Sequence, residues 1–140
     1  MSVAVALQKA VFDALRADPA VSGLIAGRVY DRVPADSQGN VTATFPYVSF
    51  GPYDFVSDDA ECIDAGEHTL QVDVWSRAVG RVEAKQVTDA VRLALHSHEA
   101  DLGVYALVEM RVDFTQVIGD PDGLTSHGIV RIVAMIEEPA

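Results

Sequence analysis

Histidine and carboxylate side chains are concentrated in one short stretch of the sequence, at His96, His98, Glu99 and Asp101. Imidazole and carboxylate groups both bind zinc, so this stretch is the first candidate for a metal site. The stretch lies at the end of a segment with the amphipathic pattern of a helix, however. Helical residues two apart, such as His96 and His98, point in roughly opposite directions. Histidines at a helix C-terminus also interact favourably with the helix dipole. We therefore favour a helix end with one buried and one exposed histidine, and we assign no metal ligand.

A second group of candidate ligands is the segment DPDG at 120–123. Its start matches a calcium-binding loop, but the later ligand positions and the closing bidentate glutamate are missing. Aspartate, proline and glycine in this arrangement are also typical of a tight turn. The segment is therefore predicted to be the turn of a β-hairpin.

Four further carboxylates, those of Asp58, Asp59, Glu61 and Asp64, surround Cys62. A carboxylate acts as a general acid when burial keeps it protonated, and an exposed loop provides no such burial. The same acids disfavour the thiolate that a nucleophilic cysteine requires. The sequence contains no G-x-S-x-G motif and no glycine-rich phosphate loop. It therefore predicts no catalytic residue, no cofactor and no enzymatic activity.

The composition is that of a globular protein with an excess of acids. Of 140 residues, 49% are hydrophobic and 22% are charged, which is too apolar for a disordered chain. A chain of this length is expected to form one domain, residues 1–140, without a disulfide, because Cys62 is its only cysteine. The net charge of −11 disfavours tight binding to nucleic acid, which depends on Lys and Arg.

Neither export nor membrane insertion is expected. The first residues lack the basic region, apolar run and cleavage site of a signal peptide. No apolar stretch approaches the roughly 20 residues that cross a bilayer. We expect a soluble protein that is made in the cytoplasm.

Hydrophobic periodicity divides the chain into helices and strands. Spacings of three and four residues predict one helix from Ser2 to about Ala17 and another from Gly80 to about His98, with a short helix after the first. Alternating or β-branched runs predict strands in RVYDRVP, FPYVSFGPYDFV, LQVDVWSR, GVYALVEMRVDFTQVIG and HGIVRIVAMIEE. The acidic segment SDDAECIDAGE is expected to be a mobile connection. The predicted fold is α+β, a mainly antiparallel sheet of about four or five strands with two main helices on one face, in the order α-β-β-β-α-β-β.

Alternation along LQVDVWSR places two different sets of side chains on opposite faces of the sheet. The apolar set belongs to the core, and the mixed set is Gln71, Asp73 and Trp75. In the last strand Val133 and Met135 are also apolar on the side away from the core. Because two substantial helices cover only one sheet face, these five residues are predicted to contact another subunit.

Five segments of the chain occur in a distinctive order, LRADPAVSGLIAGRVYDRVP, FPYVSFG, LQVDVWSR, EAKQVTDAVRLAL and DPDGLTSHGIVRI. Their order and spacing resemble the tail-completion family of long-tailed phages and gene transfer agents, over nearly the whole chain. Members of that family look like tail terminator proteins. The resemblance implies a small α/β subunit, with helices on one face of a sheet, that assembles into a six-membered ring.

The resemblance also implies a function without a reaction or a cofactor. Such rings cap the tail tube at its neck end, stop its polymerisation and join it to the head connector, after assembly in the host cytoplasm. The implied partners are sister copies, the tail tube protein and a connector or stopper protein. DNA would pass through the ring without specific binding. An acidic loop from Asp54 to Glu67 is then expected to face the bore or the tube, where its carboxylates would repel phosphates. The residues assigned to this role are Asp54, Asp58, Asp59, Glu61 and Asp64.

Three other functions remain open from the sequence. A different neck component, such as a head-completion or stopper protein, would share the same size and acidity. A small metal-dependent hydrolase would use His96 and His98 with nearby carboxylates. A monomeric peptide-binding module would use an open sheet edge.

Overall fold

The computed structural model describes residues 1–61 and 63–139 of the chain. Its elements are α1 Val3–Ala17, α2 Pro19–Ile25, β1 Val29–Tyr30, β2 Tyr47–Ser57, β3 Asp64–Ser76, α3 Val82–Leu95, β4 Ala106–Gly119 and β5 Ser126–Glu138. The five strands form one sheet in the order β1-β2-β3-β5-β4, antiparallel throughout except for the parallel pair β1 and β2. The predicted α+β class and element order are confirmed. Within the described residues, no helix is long and apolar enough to span a membrane.

Side-chain caps define where the first two helices begin. Ser2 Oγ accepts a hydrogen bond from the Val5 amide at the start of α1. Asp18 Oδ1 accepts one from the Val21 amide at 3.0 Å and caps α2, in which Pro19 is the first residue. Because the first turn of a helix has unpaired N–H groups, a capping carboxylate and a proline are both favourable there. The predicted break between two helices therefore lies at Asp18 and Pro19.

The three helices pack on one face of the sheet and form the core with it. Alternate residues of the central strands point towards the helices. The fully buried core side chains include Leu7, Val11 and Leu15 of α1, Val21 and Ile25 of α2, Val87, Val91 and Leu95 of α3, Val72 and Val74 of β3, and Val130, Ile132, Ala134 and Ile136 of β5. The apolar face that was predicted for LQVDVWSR is therefore a core face.

A close approach between α3 and β5 requires a glycine. A Cβ atom at Gly128 would overlap the Thr88 hydroxyl oxygen and lie 3.0 Å from the Val74 Cβ. Thr88 is itself buried, with 3% of its surface exposed. The absence of a side chain at Gly128 thus lets α3 lie directly on the sheet.

Two β-bulges change the pattern of β4. Strict alternation would place Val108, Met110, Val112 and Phe114 together on the core face. The pairing with β5 instead shifts between Leu107 and Glu109, and again between Val112 and Phe114. Met110 is buried, whereas 59% of Val108 and 41% of Phe114 is exposed. A bulge adds one residue to a strand, so Phe114 ends on the face opposite the helices.

The loop within the acidic segment is shorter than the sequence predicts. β2 continues to Ser57 and β3 begins at Asp64, with cross-strand pairs as far as Ser57 and Gly66. Asp54 and Asp64 therefore lie on strands, and the prediction that placed them in a loop is wrong. The start of β3 also pairs with the end of β5, where Asp64 faces Glu138. Backbone pairing on this long β-ribbon outweighs the low strand propensity of its polar residues.

Candidate subunit-contact surface

The sheet face opposite the helices carries no helix in the part of the chain that the structure describes, and we call it the open face. It is built from alternate residues of four strands. Its central members are Ser49 of β2, Gln71, Asp73 and Trp75 of β3, His127, Arg131, Val133 and Met135 of β5, and Arg111 and Phe114 of β4. The face is mixed in character, as the sequence predicts for β3.

A hydrogen-bonded aromatic cluster occupies one half of the open face. The Trp75 indole lies flat on the His127 imidazole, with ring centroids 4.0 Å apart. The indole N–H donates to Ser49 Oγ at 2.9 Å. His127 Nε2 and Gln71 Nε2 both donate to Asp73 Oδ1, at 2.7 and 2.8 Å. These contacts tie β2, β3 and β5 together without any helix.

A glycine also makes room for the carboxylate of this cluster. The register between β2 and β3 shifts between Phe50 and Tyr53, and Gly51 lies in that irregular part. A Cβ atom at Gly51 would be 2.6 Å from Asp73 Oδ2. Asp73 is therefore enclosed by backbone on one side and by its donors on the other. Its hydrogen bonds offset the cost of burying the carboxylate.

The open face is only partly bare, which corrects one expectation. Asp73 and Val133 have 7% and 3% of their surface exposed, so neighbouring side chains of the same chain already cover them. Gln71, Trp75 and Met135 are partly exposed. These three residues are thus available to a partner, whereas Asp73 and Val133 are covered and Asp73 holds the Gln71 amide through a hydrogen bond. The role of the set as a subunit interface stays a prediction.

A second ordered group on the open face was not predicted. Arg131 Nε donates to Asp113 Oδ1 at 2.8 Å, and its guanidinium lies 4.9 Å from the centre of the Phe114 ring. The hydrogen bond to Asp113 raises the pKa of Arg131 further above its already high usual value. The bulge in β4 brings these side chains together, and sequence alternation alone gives no sign of it.

The edges of the sheet are poorly suited to pairing with another strand. The outer strand β4 carries two bulges, and β2 has a register shift next to Pro52, which lacks an N–H group. Bulges and prolines at an edge disfavour strand addition. This argues against the peptide-binding module and in favour of contacts through the open face.

The sheet has one strongly acidic end, formed by the end of β2, the start of β3 and the end of β5. Eight acidic residues and no Lys or Arg lie there, namely Asp54, Asp58, Asp59, Glu61, Asp64, Glu67, Glu137 and Glu138. All five acidic residues predicted to face a bore or a tube are exposed. That role stays a prediction.

A buried histidine lies next to this acidic end on the helix side. His68 has 1% of its surface exposed, and its Nδ1 is 2.7 Å from the Tyr53 hydroxyl. Its Nε2 has no hydrogen-bond partner among the described residues. Burial lowers the pKa of His68, an effect that the nearby Glu138 carboxylate partly opposes. Burial also raises the pKa of Tyr53. Both groups are therefore favoured in their neutral forms.

Of the other candidate ligands, His96 and the DPDG carboxylates are engaged by the protein itself. His96 is exposed and His98 is half-buried, so the prediction of one buried histidine at this helix end is wrong. His96 follows the last residue of α3, and its Nδ1 accepts a hydrogen bond from the Val112 amide. Over residues 1–61 and 63–139, no three His, Cys, Asp or Glu side chains are grouped as metal ligands. Asp122 accepts hydrogen bonds from the Thr125 hydroxyl and from the Leu124 and Thr125 amides, which lower its pKa. The DPDG segment is thus a turn, as predicted.

Comparison with known proteins decides which family has this architecture. The family model "Tail completion protein gp17" matches residues 9–137. The chain belongs to this tail completion family. A chain of the solved structure "Virion of native gene transfer agent (GTA) particle" is 28% identical, with a TM-score of 0.85 over 97% of this chain and 98% of that one. A search of curated proteins found no match.

Membership in the tail completion family is consistent with the geometry of the open face. The protein is a structural component of a phage or gene-transfer-agent tail. It is therefore part of a multi-protein assembly, for which exposed, ordered surfaces are required. The aromatic cluster and the Arg131 group are such surfaces.

Proposed function

We propose that this tail completion protein is a ring-forming tail terminator. It caps the tail tube at the neck end, stops further polymerisation of the tube and joins it to the head connector. Residues 1–140 act as one unit in this role, and the ring is a hexamer. No step of this function requires a reaction or a cofactor.

The observation that carries the proposal is the ordered, half-exposed open face. A closed ring requires heterologous contacts, in which one surface of each subunit meets a different surface of the next. Trp75, Gln71 and Met135 present aromatic, amide and thioether groups that are held in place before a partner arrives. Aromatic residues and Met are enriched at protein interfaces.

The acidic end of the sheet is the second contact surface in this proposal. Its carboxylates either face the bore or the tube, as the family resemblance implies, or meet a neighbouring copy. A bore lined by carboxylates would keep DNA phosphates from adhering as the genome passes.

Light scattering after size-exclusion chromatography tests ring formation. Purified protein is measured at increasing concentration, with and without the tail tube protein, and a mass near six subunits is expected in at least one condition. Met135→Glu places a charge on the open face and should reduce the assembled fraction. Leu93→Glu, at an exposed position of α3, is the matched control and should not.

Tube growth provides the functional readout. The tail tube protein is allowed to polymerise, and addition of this protein should arrest elongation and leave short capped tubes. Ring formation with unaltered tube growth would instead favour a stopper or head-completion protein. A monomer at every concentration, with unaltered tube growth, would contradict the proposal.

A further inference from the structure

A groove lies at the end of the sheet opposite the acidic end. It is formed between the β3–α3 loop, 77–81, and the β4–β5 turn, 119–126, and has a volume of about 620 Å³. Arg77 and Arg81 line it, and Leu124 and Val79 are exposed beside it with 72% and 105% of their surface accessible. We call it the arginine groove. Cationic and aliphatic groups form its surface together with the Thr125 and Ser126 hydroxyls and the Asp120 carboxylate.

The two guanidinium groups of the arginine groove are held by the protein in different ways. Arg77 Nε donates to Thr125 Oγ1 at 3.1 Å, and its guanidinium lies 4.4 Å from the centre of the Phe45 ring. Arg81 lies against Gly119, where a Cβ atom would be 2.9 Å from its Nη2. In the part of the chain that the structure describes, no carboxylate lies within 4.0 Å of the Arg81 guanidinium. Arg81 thus presents an unneutralised charge.

Two carboxylates lie at the groove, Asp120 in its lining and Asp122 beside it. Asp122 accepts three hydrogen bonds from its own turn and is 3.8 Å from Arg77 Nη2. Asp120 Oδ2 lies 3.4 Å from the Asp122 amide. An arriving carboxylate would therefore find the Arg81 guanidinium free.

The acidic end carries the complementary groups. Its carboxylates have no basic residue among them, and they surround three exposed apolar side chains. Phe55, Val56 and Ile63 have 48%, 61% and 42% of their surface exposed. A strand of 13 residues separates the two ends, which is about 40 Å at the usual rise per residue. The two surfaces therefore cannot meet within one molecule.

We propose that the acidic end of one copy docks into the arginine groove of the next. Asp58 and Glu61 would pair with Arg81 and Arg77, while Val56 and Ile63 contact Val79 and Leu124 around them. The contact is heterologous and joins opposite ends of the sheet, which is the kind of contact that closes a ring. The inference rests on the proposed ring function and specifies which surfaces meet.

Charge reversal tests this contact directly. Arg81→Glu and the double variant Asp58→Arg/Glu61→Arg should each weaken ring formation about tenfold or more, because like charges would face each other. The combined triple variant should recover most of the lost association. Lys85→Glu, one turn along α3 and outside the groove, makes the same change of charge and should leave assembly unaltered. Circular dichroism and thermal melts verify that every variant folds.

The outcomes separate this inference from the proposed function. A wild-type ring that tolerates Arg81→Glu, or a triple variant without recovery, would overturn the inference and leave the ring function intact. A ring that tolerates Asp58→Arg/Glu61→Arg but no longer binds the tube would assign the acidic end to the tube. Absence of any ring from the wild type, with and without the tube protein, would overturn the proposed function itself.

Discussion

The Trp75 indole stacks on the His127 imidazole with only 11° between the two ring planes. Residues 75 and 127 are directly paired on neighbouring strands, so the stack is a cross-strand contact on the open face, where β3 ends and β5 begins. His127 is also held through Nε2 by Asp73, and Trp75 through its N–H by Ser49. Both rings are therefore fixed in the isolated subunit. A partner would meet a surface that needs little reordering, which favours association.

His127→Asn should change the intrinsic fluorescence and lower the stability. Trp75 is the only tryptophan, so its emission reports on the ring that stacks on it. The substitution removes the stack and one hydrogen bond to the buried Asp73, so we expect a loss of about 1–3 kcal/mol in the free energy of unfolding. Emission spectra and urea denaturation measure the two effects. His98→Asn, outside this cluster, should change neither, and unchanged emission from His127→Asn would contradict the stacked geometry.

Gly128→Ala should destabilise the protein more than an ordinary substitution in a strand. The new methyl group would overlap the Thr88 hydroxyl beneath α3, and overpacking of this kind costs about 1–3 kcal/mol. Urea denaturation measures the loss. Addition of Thr88→Ala should recover part of it, because the overlapping oxygen is removed.

Gly23→Ala is the matched control for that substitution, and its predicted effect has the opposite sign. Gly23 lies within α2, and apart from its chain neighbours and its own helix backbone no atom is within 4 Å of a Cβ atom built there. Alanine should therefore stabilise the protein by about 0.5–1 kcal/mol through its higher helix propensity. Equal effects of the two substitutions would show that α3 does not lie directly on Gly128.

Acid should destabilise the protein partly through His68. Burial lowers the pKa of this imidazole in the folded chain, whereas the unfolded chain takes up the proton near pH 6.5. The unfolded state therefore binds more protons below about pH 6.5, and stability falls as the pH drops through that region towards the lowered pKa. His68→Gln should flatten this part of the profile in urea denaturation at several pH values. His98→Gln should retain the slope, and an unaltered slope in His68→Gln would assign the acid sensitivity to other groups.

Periodicity in the sequence predicts the core of this fold correctly. The spacing of Leu7, Val11 and Leu15, and the alternation of Val72 and Val74, each follow from burial of one face of a regular element. The predictions from sequence are wrong where a strand is irregular or extends beyond its local pattern. The bulge that turns Phe114 outward and the extension of β2 and β3 into acidic sequence depend on pairing with neighbouring strands, which no local pattern encodes.

The candidate site was predictable only along β3 and at Val133 and Met135 of β5. Alternation identified Gln71, Asp73 and Trp75 as a mixed face, and the structure places all three there. Their partners Ser49 and His127 are 26 and 52 residues from Trp75 in sequence, and strand register brings them into contact. The segment TSHG at 125–128 gives one signal, a histidine beside a glycine at the start of a strand, but it does not identify the partner strand.

Arg131→Ala should weaken assembly through the open face and leave the stability of the fold almost unchanged. Its bond to Asp113 is largely exposed, with 46% and 31% of the two side chains accessible, and such pairs contribute about 0–1 kcal/mol to stability. Arg92→Ala on α3 removes a similarly exposed arginine, 42% accessible, that lies 3.8 Å from Asp89. Both variants should therefore lose less than about 1 kcal/mol in urea denaturation.

The two arginine variants should differ in association. Arg131 is held by Asp113 over the Phe114 ring on the face that we assign to a neighbouring subunit, and ordered arginines of this kind are frequent hot spots of binding. Arg131→Ala should reduce assembly. Sedimentation velocity should show an association constant that is lower at least about tenfold, which corresponds to about 1.4 kcal/mol. Arg92→Ala should sediment like the wild type, because α3 packs on the other side of the sheet. Equal sedimentation of both variants would mean that this part of the open face faces solvent in the assembled tail.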